Sequence, residues 1–229
     1  MGAYLFKAEA TEPQRTWPRR IVFIEGNISA GKSTLLKALK DEGYAVWTEG
    51  VDAITTLVDG SGKNLLELFY ADMPRYAFEL QVAYLNNRWK TIREALDADK
   101  TDIVFVERSL WTDRYTFALQ LYQDGCLTDV QWTIYNELLM YRVKDAKWIF
   151  DDITTKTIYL QTPPDICMLR TNQRNRGGEV DGITTKYLEG LHDKLEKWLE
   201  DENDLYNTDV VNGNQEPNQI LQDVLEHLA

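Results

Sequence analysis

The segment that most limits what this chain can become is Gly26-Asn27-Ile28-Ser29-Ala30-Gly31-Lys32-Ser33, followed by Thr34. It carries Gly, Gly, Lys and Ser at every fixed position of GxxxxGK(S/T), the signature of a loop that cradles phosphates. Its surroundings are those such a loop needs. The apolar run Ile21-Val22-Phe23-Ile24 before it reads as a buried parallel strand. Leu35, Leu36 and Leu39 after it mark one side of a helix from about Lys32 to Glu42. Gly26 and Gly31 permit backbone torsions that a Cβ would forbid. The loop can then turn successive N–H groups toward phosphate oxygens at the positive end of the helix. Lys32 reaches the outer phosphates, and the Ser33 hydroxyl suits Mg²⁺. The motif predicts a bound nucleoside triphosphate without saying what is done with it.

Short apolar strands alternate with helices along the rest of the chain. Tyr44-Ala45-Val46-Trp47, Ile103-Val104-Phe105-Val106, Thr157-Ile158-Tyr159-Leu160 and Asp209-Val210-Val211 are the further strand candidates. Helices are expected over 64–70, 77–96, 111–122, 128–146, 164–173, 184–200 and 217–228. In the 77–96 segment Phe78, Val82, Leu85, Trp89, Ile92 and Leu96 recur at alternating steps of four and three, the period of a helix with one buried stripe. This order predicts an α/β fold with a parallel sheet covered on both faces. Residues 1–20, aperiodic and carrying Pro13 and Pro18, read as a flexible arm, and residues 21–229 as a single domain.

In an open parallel sheet ligands bind beyond the carboxyl ends of the strands. Glu49 and Glu107 follow the second and third strands, on the same edge as the phosphate loop. Phosphoryl transfer to a hydroxyl needs one acid to hold Mg²⁺ and another to accept a proton, and spacing alone does not assign the two roles. Arg108 and Ser109 extend Glu107 into a charged cluster, with Asp113 and Arg114 close behind. Gln81, Tyr84 and Arg88 share one face of the 77–96 helix. An amide and a guanidinium together can read a nucleobase edge, but on this helix alone the set reads as a polar outer face. Arg170, Arg174 and Arg176, followed by Gly177 and Gly178, read as a short cationic lid over about 170–180.

Composition bounds the partners. The 229 residues carry 25 Lys and Arg against 37 Asp and Glu, a formal net charge of −12. Coating DNA or RNA would need the opposite balance, so no nucleic acid partner is expected. A few placed cations inside an acidic shell still suit small anionic ligands. No apolar run is long enough to span a membrane. Cys126 and Cys167 are the only cysteines and His192 and His227 the only histidines, which argues against a disulfide scaffold, a zinc site or a Ser–His triad. The thiols suggest a reducing compartment, and the cytoplasm is the expected location. Acids among the arginines of residues 1–20 make a poor mitochondrial leader.

The stretches IEGNISAGKST, VWTEGV, FYADMPRYAFELQ, VERSLWTDRYTFA, LRTNQRNRGGE and KYLEGLHDKLEKWL occur in this order between Ile21 and Leu199. Together they resemble the deoxynucleoside kinase family. The resemblance implies a P-loop kinase fold of five parallel strands wrapped by helices, and a homodimer packed through helices. It implies transfer of the γ-phosphoryl of ATP, with Mg²⁺, to the 5′-hydroxyl of a deoxynucleoside. Glu49 then takes the hydroxyl proton, Arg108 stands near that hydroxyl and the incoming phosphoryl, and Ser33 and Glu107 serve Mg²⁺. Tyr70 and Glu179 match a pair that binds the sugar 3′-hydroxyl, Gln81 a base-reading amide, and Phe117 a ring that stacks on the base. Arg170, Arg174 and Arg176 match lid arginines on the donor phosphates.

Arg88 and Asp113 fall where the family separates substrate classes. An Arg–Asp pair there resembles enzymes for deoxycytidine and purine deoxynucleosides, because it fills the room a thymine methyl needs. Tyr84 departs from the cytidine type and leans toward purines. Gly50, Ile54 and the loop Asn212-Gly213-Asn214-Gln215 also depart from the family pattern. The rival readings are a nucleoside monophosphate kinase and a non-catalytic, kinase-like accessory subunit.

Overall fold

The computed structural model describes residues 20–98, 101–174, 182–199 and 206–228. The expected arm up to residue 19, and Arg176 and Glu179 of the expected site, lie outside the described residues.

Among the described residues, five strands form one all-parallel sheet: β1 (Arg20–Gly26), β2 (Ala45–Trp47), β3 (Ile103–Glu107), β4 (Thr154–Gln161) and β5 (Thr208–Asn212). Their order is β2-β3-β1-β4-β5, so β1 lies at the centre. Ile21, Val22, Phe23 and Ile24 are buried there, and a continuous apolar run is what a strand covered on both faces requires. Alternate side chains serve two cores. Ile21 and Phe23 join Val104 and Val106 against α3 (Leu65–Ala71), α4 (Met73–Ala98), α6 (Phe117–Gln123) and α7 (Asp129–Asp152). Val22 and Ile24 join Phe105, Ile158 and Leu160 against α1 (Lys32–Asp41), α8 (Pro164–Arg174) and α10 (Pro217–Glu226). The helix α9 (Thr185–Leu199) adds Leu195, Trp198 and Leu199 to Tyr159.

The strand order positions the site. After β1 the chain crosses to β2, returns to β3 beside β1, and only then reaches β4 on the far side of β1. The carboxyl ends of β1 and β3 thus adjoin where the connections diverge, the crevice in which such sheets hold ligands. Gly26, Glu49 and Glu107 stand at that edge, as expected from the sequence.

Local chemistry sets the element ends. Asn64 caps α3: its side chain accepts from the Glu67 N–H at 3.0 Å, while Glu67 accepts from the Asn64 N–H at 2.9 Å. The helix expected over 111–122 is broken into α5 (Thr112–Tyr115) and α6 at Thr116, whose backbone leaves the helical region at φ −126 and ψ −87. The Thr116 hydroxyl donates to the Thr112 carbonyl at 2.5 Å, a side-chain competitor to the helix ladder. The unexpected α2 (Val51–Thr55) is too short to leave a period in the sequence. β1 starts one residue inside the expected arm, because the Arg20 N–H donates to the Asp102 carbonyl at 3.0 Å.

Candidate active site

A cavity of about 710 Å³ opens at this edge. The phosphate loop walls one end, and Glu49, Gln81, Tyr84, Arg88, Arg108 and Asp113 wall the other.

The first end is built from backbone. Gly26 has φ +152, and a Cβ there would stand 3.0 Å from the Leu160 carbonyl oxygen. Gly31, at φ +110, precedes α1 without any side chain closing the helix end. The first turn of α1, with Lys32, Ser33 and Thr34 lining the cavity, therefore keeps N–H groups and positive partial charge for an anion. The Lys32 ammonium donates to the carbonyls of Gly26 at 3.1 Å and Asn27 at 2.8 Å. Burial, with Arg108 nearby, pushes its pKa down to about 8.

Two expected loop residues support this wall from beneath. Gly26 does not line the cavity, and neither does Asn27, which is buried. The Asn27 amide donates to the Leu188 carbonyl at 2.9 Å and so ties the loop to α9. Arg170 donates to the carbonyls of Ala30 and Gly213, each at 3.1 Å, fastening the phosphate loop to the loop after β5. The Thr162 hydroxyl joins it on Ala30 at 3.0 Å. Arg170 and Arg174 both line the cavity from α8.

The other end is built from side chains delivered by separate elements. Glu49 follows β2, and α4 grips it twice: the Asn87 amide donates to its carbonyl at 2.6 Å, and the Arg88 guanidinium pairs with Oε1. Arg108, which follows β3, brings Nε to 3.2 Å from Glu49 Oε2. Arg88 also pairs with Asp113 of α5. The Glu49 N–H donates to Glu107 Oε2 at 3.3 Å. Arg88 and Asp113 are 3% and 1% exposed, so this chain of alternating charges is almost dry.

Burial works against the charge on Glu49, but Arg88 and Arg108 outweigh it and hold its carboxyl below the usual range. Burial pushes Asp113 upward, opposed by Arg88. Arg88 stays protonated despite its burial because Asp113 and Glu49 face it. Gln81 is 3% exposed, and its side-chain oxygen has no hydrogen-bond partner among the described residues. An acceptor in that state is costly unless a ligand donates to it. The Arg108 guanidinium lies 4.7 Å from the Phe117 ring centroid, and Tyr70 completes the wall nearby.

The cavity thus brings together Ile28 through Thr34, Glu49, Tyr70, Gln81, Tyr84, Arg88, Glu107, Arg108, Asp113, Phe117, Arg170 and Arg174. One expectation is corrected: the Gln81, Tyr84 and Arg88 face of α4 is an inner wall and not a polar outer face. Both arrangements have the same helical spacing, so period alone could not separate them. Sequence reasoning missed Asn87, Tyr187 and Glu25. Glu25 did leave a signal, an acid directly after the apolar run Ile21-Val22-Phe23-Ile24 and before the phosphate loop.

The Ser33 hydroxyl and the Glu107 carboxylate line the same cavity as Lys32. No group of three or more His, Cys, Asp or Glu among the described residues forms a metal cage. Mg²⁺ shared with phosphates asks only one or two protein oxygens, so these residues fit it.

A phosphate loop facing a buried carboxylate held between two guanidiniums defines a P-loop phosphotransferase site. The family described as deoxynucleoside kinase matches residues 22–228. A probable deoxycytidine kinase of fowlpox virus (strain NVSL) is 40% identical over 186 residues, covering 80% of this chain and 73% of the relative. The deoxycytidine kinase of Homo sapiens is 34% identical over 221 residues, 83% of each chain. A mitochondrial deoxyguanosine kinase of Xenopus laevis is 30% identical over 195 residues, 77% of this chain and 71% of the relative. The chain belongs to the deoxynucleoside kinase family. It is an ATP-dependent phosphotransferase with a hydroxyl acceptor.

Proposed function

We propose that this kinase phosphorylates the 5′-hydroxyl of deoxycytidine and purine deoxynucleosides in preference to thymidine, using MgATP, as a step in nucleotide salvage. The observation that carries this reading is the buried Glu49–Arg88–Asp113 chain beside the Gln81 oxygen, which has no partner among the described residues. Gln81 accepts from the exocyclic amino group of the base. Arg88 and Asp113 close the space a 5-methyl group would enter, and an apolar methyl there would strip solvation from two charges. Tyr84 and Phe117 supply flat walls for the ring. Tyr70, with Glu179, holds the sugar 3′-hydroxyl.

In the reaction the 5′-hydroxyl gives its proton to the ionised Glu49 while its oxygen attacks the γ-phosphorus. The bond from that phosphorus to the β-phosphate oxygen breaks, and ADP leaves. Lys32, Arg108 and the arginines Arg170, Arg174 and Arg176 spread the charge of the moving phosphoryl group. Ser33 and Glu107 would hold Mg²⁺, which would neutralise the donor phosphates. The lid over about 170–180 and the single domain over 21–229 belong to this reading. A monophosphate acceptor fits less well, since both cations at the acceptor end already face Glu49.

A homodimer is also part of the proposal. Val130, Ile134, Leu138 and Tyr141 of α7 are exposed, and Phe78, Val82 and Leu138 line a groove against α4. Two free thiols, Cys126 and Cys167, fit a reducing compartment such as the cytoplasm. No helix among the described residues is long and apolar enough to cross a membrane.

The test is kcat/KM with MgATP for deoxyadenosine, deoxyguanosine, deoxycytidine and thymidine. Thymidine trailing the three amino-bearing nucleosides is expected. Dominant thymidine would overturn the pocket assignment. No turnover of any of them would favour a monophosphate kinase or a non-catalytic subunit.

A further inference from the structure

We propose that Glu25, a residue with no contact to either substrate in the reading above, positions Arg108 and Glu107 for phosphoryl transfer. Glu25 is 0% exposed and stands on the central strand one residue before Gly26. An acid in such a place needs strong partners or a task. Its Oε1 accepts from the Ser109 N–H and from the Thr112 hydroxyl, each at 2.7 Å. The Thr112 hydroxyl oxygen also receives the Ser109 N–H at 3.1 Å. The Arg108 N–H donates to the Ile24 carbonyl at 3.1 Å. Four bonds therefore clamp the turn from β3 into α5, and three of them converge on the Glu25 carboxylate and the Thr112 hydroxyl.

That turn needs a clamp. Arg108 has φ +66, a left-handed conformation that a long side chain rarely adopts. The same turn carries Glu107 into the cavity and aims the Arg108 guanidinium at Glu49. Glu25 Oε2 has no hydrogen-bond partner among the described residues. Burial pushes the Glu25 carboxyl up, and Arg108 opposes it. Glu25 thus acts on Arg108 through the backbone of the turn. Because Gly26 follows it directly, the carboxylate also ties the acceptor-side arginine to the root of the phosphate loop. A carboxyl that merely filled a gap in the sheet would make no demand on the 107–112 turn.

The inference rests on the kinase reading, and the experiment separates the two. Wild-type enzyme, Glu25→Gln, Arg108→Lys and the double variant are assayed with MgATP and the best deoxynucleoside, alongside thermal melts. Glu25→Gln keeps the shape but replaces the carboxylate that accepts from the Ser109 N–H and the Thr112 hydroxyl with a weaker amide acceptor. It is expected to lower kcat ~10–100-fold, the scale of a small misplacement at the reacting centre, with both KM values within about 3-fold. Added to Arg108→Lys it should lower kcat by less than about 3-fold more, because the two residues act as one unit.

A wild-type kcat in Glu25→Gln overturns the proposal, and so does a loss that multiplies with that of Arg108→Lys. If Glu25→Gln does not fold, Thr112→Val carries the same test, with a loss in kcat that vanishes beside Arg108→Lys. An inactive wild-type enzyme overturns the kinase reading itself, and the inference with it.

Discussion

The two ends of the cavity solve the same problem, holding charge in a nearly dry space, by opposite means. The phosphate end uses main chain: two glycines with positive φ, an uncapped helix start and one lysine, all within eight consecutive residues. The acceptor end uses side chains carried by β2, β3, α4 and α5, whose charges neutralise one another before any ligand arrives. A backbone cradle is fixed by torsions and fails when torsions change. A side-chain network is fixed by partners and can be retuned by exchanging them. Each end should therefore break in its own way.

The largest effect is expected at the acceptor end, where one proton must move. Glu49→Gln keeps the size and one acceptor oxygen but removes the base. We expect kcat to fall ~10²–10⁴-fold, the usual worth of a general base, with nucleoside Kd changed far less. Steady-state kinetics beside calorimetric binding measures both. Turnover near wild type would remove Glu49 from the chemistry and leave the network only a binding role.

Gly31→Ala puts the contrast to the phosphate end. A residue with a Cβ at φ +110 is strained by roughly 1–3 kcal/mol whatever space surrounds it. The expected result is a fall of about 5–150-fold in kcat/KM for ATP, with nucleoside binding intact. Equal losses for both substrates would show that the two ends are not separable.

The same contrast explains what could be read from the sequence. The sheet, the helix after the loop and the cradle were legible because each is written in contiguous residues with a period or a motif. Glu49 and Glu107 were legible because strand ends announce an edge. The burial of Arg88 was not legible, since its neighbours along α4 look the same whether that face meets water or Asp113. Nor was the break at Thr116, which depends on where two hydroxyl groups point. Residues matched through family resemblance, such as Gln81 and Phe117, do line the cavity, but nothing in their spacing required it.

Exchanging partners tests the side-chain network directly. Arg88→Met alone leaves Asp113 buried without its cation, and Asp113→Ala alone leaves Arg88 short of an anion. Either should destabilise the fold by about 3–5 kcal/mol, the cost of breaking a buried pair. The double variant should recover part of that loss in chemical denaturation, because no Arg88–Asp113 charge remains stranded. Its pocket gains room and loses two charges, so thymidine kcat/KM relative to deoxycytidine should rise ~10-fold or more. A double variant as unstable as the sum of the singles would mean the pair is not coupled. An unchanged thymidine ratio would move base selection elsewhere.

The smallest expected effect is a shift in pH dependence, and it isolates the electrostatics from the sterics. Glu49 is active as a base only when ionised. Its carboxyl is held below the usual range in spite of burial, chiefly by Arg88 and then Arg108. Glu49 should therefore set no acid limb in the wild type between neutral pH and the ordinary carboxylate range. The folding contribution of Glu49 has the same sign: present above its unfolded pKa, lost only as pH falls through the lower folded one. Removing Arg88 in the Arg88→Met, Asp113→Ala variant takes away the main cation while burial remains. The Glu49 pKa must then rise. The limb of kcat/KM that Glu49 sets should then lie at higher pH in this variant than in the wild type. Coincident profiles would mean that Arg108 alone sets the charge state of Glu49, and that Arg88 belongs to the base-reading wall and not to the proton path.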